Sequence, residues 1–301
     1  MSNVRAMIQE FLNYLKYERN LSQCTVDSYG EDLRMFQEYC EALDEPLPLE
    51  SADSDVVRGW VEAMMDRGGK PTSVNRRLSA LRSFYRFAVK RKLVAKDPSC
   101  GIVGPKKSKP VPAFVREKDM QRLLDGEGMW DDTKYKDVRA RTIISMFYNT
   151  GVRLAELIGM DDGDVDYIRK QVTVTGKRNK QRIIPLGEKM LGELRHYTAM
   201  RNDAAARATE ALFVNDKGER MGRAQVSAIV KEGLSRVTTQ KKRSPHVLRH
   251  TFATAMLNDD AGIESVRLLL GHAGLDATEI YTHATFEQLR KAYEKAHPRS
   301  E

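Results

Sequence analysis

At 301 residues the chain is long enough for two domains. Hydrophobic residues make up 41% and charged residues 31%, with a net charge of +8. That excess suits a polyanion partner, nucleic acid first. No apolar run approaches the ~18 residues of a membrane span, so membrane insertion is not expected. Cys24, Cys40 and Cys100 are few, odd in number and far apart, which excludes a disulfide framework and fits a reduced, cytoplasmic compartment. The first ten residues carry no signal-peptide pattern.

In chain order, Val4, Ile8, Phe11, Leu12 and Leu15 recur at helical spacing. Ser22 or Thr25 starts a second helix through Leu33, Phe36 and Cys40. A Pro/Glu/Asp-rich loop over 44–55 precedes a third helix from Asp55 to Met65. Gly68-Gly69-Lys70-Pro71 breaks the chain, and a fourth helix follows with Val74, Leu78, Leu81, Tyr85 and Ala88 on one side. Its other surface is crowded with Arg76, Arg77, Arg82 and Arg86. Such a face is often merely solvated. With the net charge and the residues downstream, it is read here as a contact to a DNA backbone. These helices make a first domain over 1–105. Residues 106–112, rich in lysine and proline, form a linker whose Lys106 and Lys107 also face phosphates in this reading. A second domain over 113–301 follows.

The second domain reads as mainly helical with one β-hairpin. A short helix over Glu117–Leu124 precedes an apolar helix over Val138–Tyr148, stopped by Asn149-Thr150-Gly151. Arg153 follows at once, and Leu154–Ile158 is helical. Gln171–Thr175 and Gln181–Pro185 are strands joined by a turn over Gly176–Lys180. Helices are expected at 187–202, 224–236, 246–258, 263–270, 276–282 and 284–296, the last ending in a basic tail.

Ser244-Pro245-His246-Val247-Leu248-Arg249 reads as a helix start, with Ser244 as N-cap and Pro245 as the first helical residue. His246 and Arg249 are spaced i, i+3 and share a face. No carboxylate sits beside Arg249 in this stretch, so an outside anion, a phosphate, is its natural partner. Arg153 and Arg249 could grip a phosphodiester and neutralise charge developing in its transition state. Tyr281 could attack phosphorus to give a phosphotyrosine. His246, His272 and Lys177 are the available acids and bases, and no metal or cofactor is required. Taken singly each residue has a duller explanation: Arg153 pairing with Glu156 at i+3, Lys177 solvated on a hairpin tip, His272 buried after a helix end, Tyr281 packing. The ordered set is what argues for chemistry. The i, i+4 pair His246 and His250 could alternatively hold zinc for a phosphodiesterase, but Arg249 between them would repel a cation.

Thr150-Gly-Val-Arg153-Leu-Ala-Glu156-Leu, Gly176-Lys177-Arg-Asn-Lys-Gln-Arg182, His246-Val-Leu-Arg249-His250, Leu269-Leu-Gly-His272 and Ile280-Tyr281-Thr-His283 together resemble the tyrosine recombinase (phage integrase) family. The resemblance runs over essentially the whole chain and is strongest to its Xer-type members. It implies a SAM-like four-helix core-binding domain that clasps DNA, followed by the catalytic domain. It implies that Arg153 and Arg249 clamp the scissile phosphate, and that His246 takes part in proton transfer. His272 supports that step, Lys177 is the acid to the 5′-oxygen, Tyr281 is the nucleophile, and Glu156 orients the site. It further implies duplex DNA with inverted half-sites and a tetramer of recombinases on two sites, either identical or including a second related recombinase. A septal DNA translocase would activate it, and chromosome-dimer resolution at a dif-like site would be its role. Integration or excision of a mobile element is the alternative. The segment after Tyr281, with Phe286, Leu289 and Tyr293 at helical spacing, is expected to dock on a neighbouring protomer. Leu154-Ala155 departs from the family's usual Ile-Ser or Val-Ser, and Lys180 lies near enough to compete with Lys177 for the acid role.

Overall fold

The structure is a computed structural model and describes residues 2–107, 113–176, 179–204, 209–259, 261–271 and 283–300. It divides into two compact units, Met1–Pro110 and Val111–Glu301.

The first unit is a helical cluster. α1 (Ser2–Asn13) runs on through a π-turn at Tyr14–Glu18. α2 (Gln23–Glu41) begins after Ser22, whose backbone is extended. α3 (Ser54–Asp66) is capped by Asp53, whose carboxylate accepts from the Asp55 and Val56 amides at 2.9 and 3.0 Å. α4 (Pro71–Lys90) has proline at its first position, where the missing N–H costs nothing. Phe11, Leu33, Phe36, Leu78, Phe84 and Tyr85 are fully buried and supply the core. The loop expected over 44–55 contains a 3-10 turn at Leu49–Ser51. The buried Tyr85 hydroxyl holds it by donating to the Leu49 carbonyl at 2.7 Å.

The second unit is built around α6 (Tyr135–Thr150), which is buried at every position from Thr142 to Thr150. α8 (Glu188–Ala204), α9 (Arg223–Ser235) and α10 (Pro245–Asn258) all pack against it. A helix buried around most of its circumference has to lie inside a domain, and Ile143, Ile144, Met146, Phe147 and Tyr148 supply its apolar surface. α5 (Glu117–Asp125), α7 (Leu154–Gly159), α11 (Ile263–Leu270) and α12 (His283–Ala296) complete the helices described in this unit. The sheet has three antiparallel strands in the order β1 (Val165–Asp166), β2 (Gln171–Thr175), β3 (Gln181–Pro185). Sequence patterning missed β1, because two residues carry no periodicity. In the hairpin, Val172 pairs with Ile184 and Val174 with Arg182, and all four are buried. Arg182 thus occupies an inward strand position. No described helix is long and apolar enough to cross a membrane.

The C-terminus departs from expectation. Leu289 and Tyr293, expected to reach a neighbouring protomer, are buried within their own unit, where α12 packs on α10, α11 and β3; the Phe286 side chain lies outside what is described. In the basic tail, Lys295 is exposed but His297 and Arg299 turn inward. Arg299 is 4% exposed, bonds Asp125 at 3.1 and 3.3 Å, and also bonds Glu193. His297 is 3% exposed, among the rings of Tyr148, Phe252 and Tyr293. The helix expected over 276–282 lies outside the described residues.

A candidate phosphate-binding active site

The site starts at the end of α6. Gly151 adopts φ +60°, closing the helix in the left-handed conformation. A Cβ there would run into Phe252 and Leu270, so the position has room only for glycine. The turn releases Arg153 at the N-cap of α7, where its backbone N–H donates to Glu156 Oε2 at 2.7 Å. The Arg153 side chain reaches the same carboxylate, Nη1 to Oε1 at 2.7 Å, and still keeps 45% of its surface exposed. The i+3 pair with Glu156 is therefore real, but Glu156 is not Arg153's alone.

Glu156 is shared with Arg182. Arg182 donates from Nη1 and Nη2 to the two carboxylate oxygens at 2.9 and 2.7 Å, and both residues are 5% exposed. Burial alone would raise the Glu156 pKa. The hydrogen bonds and charge of Arg182, followed by those of Arg153, outweigh it and hold the carboxyl at about 2. Glu156 is thus a permanent anion serving two cations.

Arg249, 7% exposed, comes in from α10 and donates to two carbonyls, Gly151 at 2.5 Å and Leu270 at 2.6 Å. Burial lowers its pKa to about 10, with repulsion from Arg153 and Arg182 adding to the effect and Glu156 opposing it. It remains a cation at neutral pH. Among the described residues two guanidiniums share the Glu156 carboxylate and the third, Arg249, lies close enough to feel their charge, and a net positive charge in a partly dry site is a receptor for an anion.

His246 lies in the first turn of α10, exposed, with Pro245 before it. Ser244 takes the N-cap position, but its side chain makes no capping hydrogen bond. The His246 ring meets His250 edge to face, their Nε2 atoms 3.1 Å apart. That distance needs one proton between the two nitrogens, so they cannot both be imidazolium in this arrangement. Burial, then His246 and Arg249, lower the His250 pKa, which keeps the pair from charging fully. Among the described residues no group of three His, Cys, Asp or Glu side chains converges as metal ligands would.

The structure brings together Arg153, Glu156 and Arg249 of the residues expected from sequence, and adds Arg182. Lys177, His272 and Tyr281 lie outside the described residues. Sequence reading quoted Arg182 inside a motif without giving it a role. The signal available was its register: Val172 and Val174 must both face inward, and the hairpin pairs Val174 with Arg182.

The arginines expected to contact DNA are partly engaged within the first unit. Arg76 bonds Ser28 at 2.5 Å and also pairs with Asp32, which is 1% exposed; Arg77 stands 3.8 Å from the same carboxylate. Burial raises the Asp32 pKa, against the pull of Arg76. Arg82 bonds the Ile102 carbonyl. Arg86 is exposed and makes a 3.2 Å bond to the Arg82 carbonyl. Lys106 and Lys107 are exposed.

Comparison with known proteins agrees with this geometry. The phage integrase family matches residues 113–288, and the phage integrase N-terminal SAM-like domain matches 8–92. The chain is similar to the tyrosine recombinase XerC of Chlorobaculum tepidum, 35% identical over 97% of this chain and 94% of the relative. It is similar to the tyrosine recombinase XerD of Staphylococcus epidermidis, 33% identical over 99% of this chain and 100% of the relative. Among solved structures, XerH bound to a palindromic difH substrate has the same fold, with a TM-score of 0.73 at 20% identity over 95% of this chain and 84% of that one. A λ integrase dimer bound to a core site gives 0.68 at 16% identity, over 92% and 98%.

Proposed function

The chain belongs to the phage integrase family and is a site-specific tyrosine recombinase, and from that premise we propose that it cuts and rejoins duplex DNA through a 3′-phosphotyrosine at Tyr281. The observation that carries this reading is the charge balance among the described residues of the site: Arg153, Arg182 and Arg249 against Glu156. A phosphodiester supplies the missing anion.

In the proposed reaction, Arg153 and Arg249 hold the non-bridging oxygens of the scissile phosphate. The Tyr281 oxygen forms a bond to phosphorus as the bond to the 5′-oxygen breaks. His246 is the base for the tyrosine proton, and Lys177 gives a proton to the leaving 5′-oxygen. His272 donates to the phosphate. The phosphate ester is exchanged and not hydrolysed, so the reverse attack by a 5′-hydroxyl from the other duplex reseals the strand.

The proposed substrate is a dif-like site with inverted half-sites, the role chromosome-dimer resolution, and the compartment the cytoplasm. Support comes from relatives named XerC and XerD and from the difH complexes of XerH. The proposed assembly is a tetramer on two sites. That its relatives fall under two names supports pairing with a second, related recombinase, and a septal DNA translocase is the proposed activator. Arg76, Arg77, Arg82, Arg86, Lys106 and Lys107 are the proposed backbone contacts. The proposed division of the chain is a DNA-clasping domain over 1–105, a linker over 106–112 and a catalytic domain over 113–301.

A plasmid carrying two directly repeated dif-like sites from the source genome tests this. The protein, with the related recombinase of that genome, is expected to resolve it into two circles. Resolution only on attachment sites of a mobile element would move the chain to the integrase role.

A further inference from the structure

Three guanidiniums bind three consecutive carbonyls at the end of α11. Arg182 Nε donates to Leu269 at 2.8 Å, Arg249 Nη2 to Leu270 at 2.6 Å, and Arg153 Nη2 to Gly271 at 3.2 Å. The last carbonyls of a helix have no partner within it, and they carry the negative end of its dipole. Cations are stabilised there. Here they also fix where the chain leaves α11, one residue before His272. Gly271 is left-handed at φ +64°, and a Cβ on it would stand 3.2 Å from the Arg182 side chain.

The three arginines differ in what they have left to offer. Arg153 keeps 45% of its side chain exposed. Arg182 is 5% exposed, its Nε on Leu269 and both terminal nitrogens forked onto Glu156. All three of its side-chain nitrogens are given to protein acceptors, whereas the bonds Arg249 makes to Gly151 and Leu270 use only Nη1 and Nη2.

We propose that Arg182 is a positioning residue for recombination: it shares Glu156 so that Arg153 is oriented without being neutralised, and it ties that carboxylate to the end of α11. The proposal rests on the reading of Arg153 and Arg249 as the phosphate clamp. The physical argument is one of charge and geometry. Glu156 is 5% exposed and ionised, and a buried carboxylate demands compensation. With Arg182 present, a two-toothed fork satisfies it, and Arg153 gives it a single side-chain bond. Without Arg182 the carboxylate has only Arg153. It then draws that guanidinium into its own fork, away from the phosphate. The Leu269 carbonyl loses its donor at the same time, and the end of α11 loses one of its three ties.

The test uses the full-length protein and a nicked duplex that traps the cleaved strand, with either a phosphate or an uncharged methylphosphonate at the scissile position. Single-turnover cleavage and DNA affinity are measured for wild type, Arg182→Met and Arg182→Lys. Arg182→Met is expected to cleave the phosphate substrate about 100-fold more slowly, the scale of an ångström-sized misplacement, with affinity within about threefold of wild type. On the methylphosphonate the deficit shrinks to about tenfold or less, because a neutral centre asks less of Arg153. Arg182→Lys keeps the charge but loses the fork, so its loss lies between the two. Equal losses on both substrates, or cleavage by Arg182→Met within about threefold of wild type, would overturn the proposal. So would a parallel loss of affinity, or failure of both variants to fold, since the residue would then be a structural support only. Wild type forming no covalent adduct on a site it footprints would instead overturn the phosphate-clamp reading itself, and this proposal with it.

Discussion

His297 shows how much one side chain can decide in this chain. Its Nε2 is 3.0 Å from the Tyr148 carbonyl, which can only accept, so that nitrogen carries the proton. Nδ1 must then be bare, and it accepts the Arg299 amide at 3.1 Å. The neutral ring is fully satisfied, and a second proton has nowhere to go. Burial pushes its pKa from 6.5 down to about 4, with the nearby Arg299 adding to the fall and the Tyr148 carbonyl opposing it. A folded value below the unfolded one means that the unfolded state binds the extra proton first. The stabilisation is complete above pH 6.5 and disappears as pH falls through 6.5 towards 4. The full effect is on the order of 3 kcal/mol. Thermal unfolding measured from pH 7.5 to 4 is expected to show that loss in wild type and a much flatter curve in His297→Gln. Parallel curves would mean that another group sets the acid limb. None of this is visible in Lys295-Ala-His297-Pro-Arg299, which reads as a basic tail; only tertiary packing brings Asp125 and Glu193 to Arg299. Arg153 and Arg249 were legible because their motifs are short and contiguous. Arg182 was not, because its partners Glu156 and Leu269 lie 26 and 87 residues away.

Helices were the most legible elements. Those of 12 residues or more repeat their apolar positions enough times to be counted, and Pro71, Gly151 and Pro245 mark ends by backbone chemistry alone. The two-residue β1 and the π-turn after α1 carry no such repeat. α4 gives the sharpest lesson about reading a charged face. Its arginines look alike in sequence and both Arg76 and Arg86 are exposed, but Arg76 is paired with the buried Asp32, whereas Arg86 makes only a 3.2 Å bond to a backbone carbonyl. Their substitutions should therefore separate. Arg86→Ala is expected to reduce the slope of log affinity against log salt by about 1 while leaving the melting temperature unchanged. Arg76→Ala leaves the buried Asp32 carboxylate with only the more distant Arg77 at 3.8 Å, and is expected to cost about 1 kcal/mol of stability in denaturant titration. If Arg86→Ala leaves the salt slope untouched, that residue is outside the DNA interface. If Arg76→Ala is as stable as wild type, Asp32 does not depend on it.

On the scale of the whole molecule, two compact units divide the chain near residue 110, and the second gathers Arg153, Arg182 and Arg249 around one helix end. The sequence order of the site residues bears little relation to their spatial order. Arg153 follows α6, Arg182 lies inside a strand, Arg249 sits on α10, and all converge on the last turn of α11. A site assembled from four separate elements keeps its geometry only while the core holds α6, α10 and the hairpin in place. This is why a largely buried scaffold surrounds so small a reactive surface. The central claim concerns the residue that should complete that surface. The most direct measurement incubates the protein, in EDTA, with a nicked duplex carrying a dif-like site, and compares wild type with Tyr281→Phe. Wild type is expected to form a covalent protein–DNA adduct, mapped by peptide sequencing to Tyr281 and absent from the variant. An adduct that persists in Tyr281→Phe, or cleavage that requires an added divalent metal, would contradict the central claim.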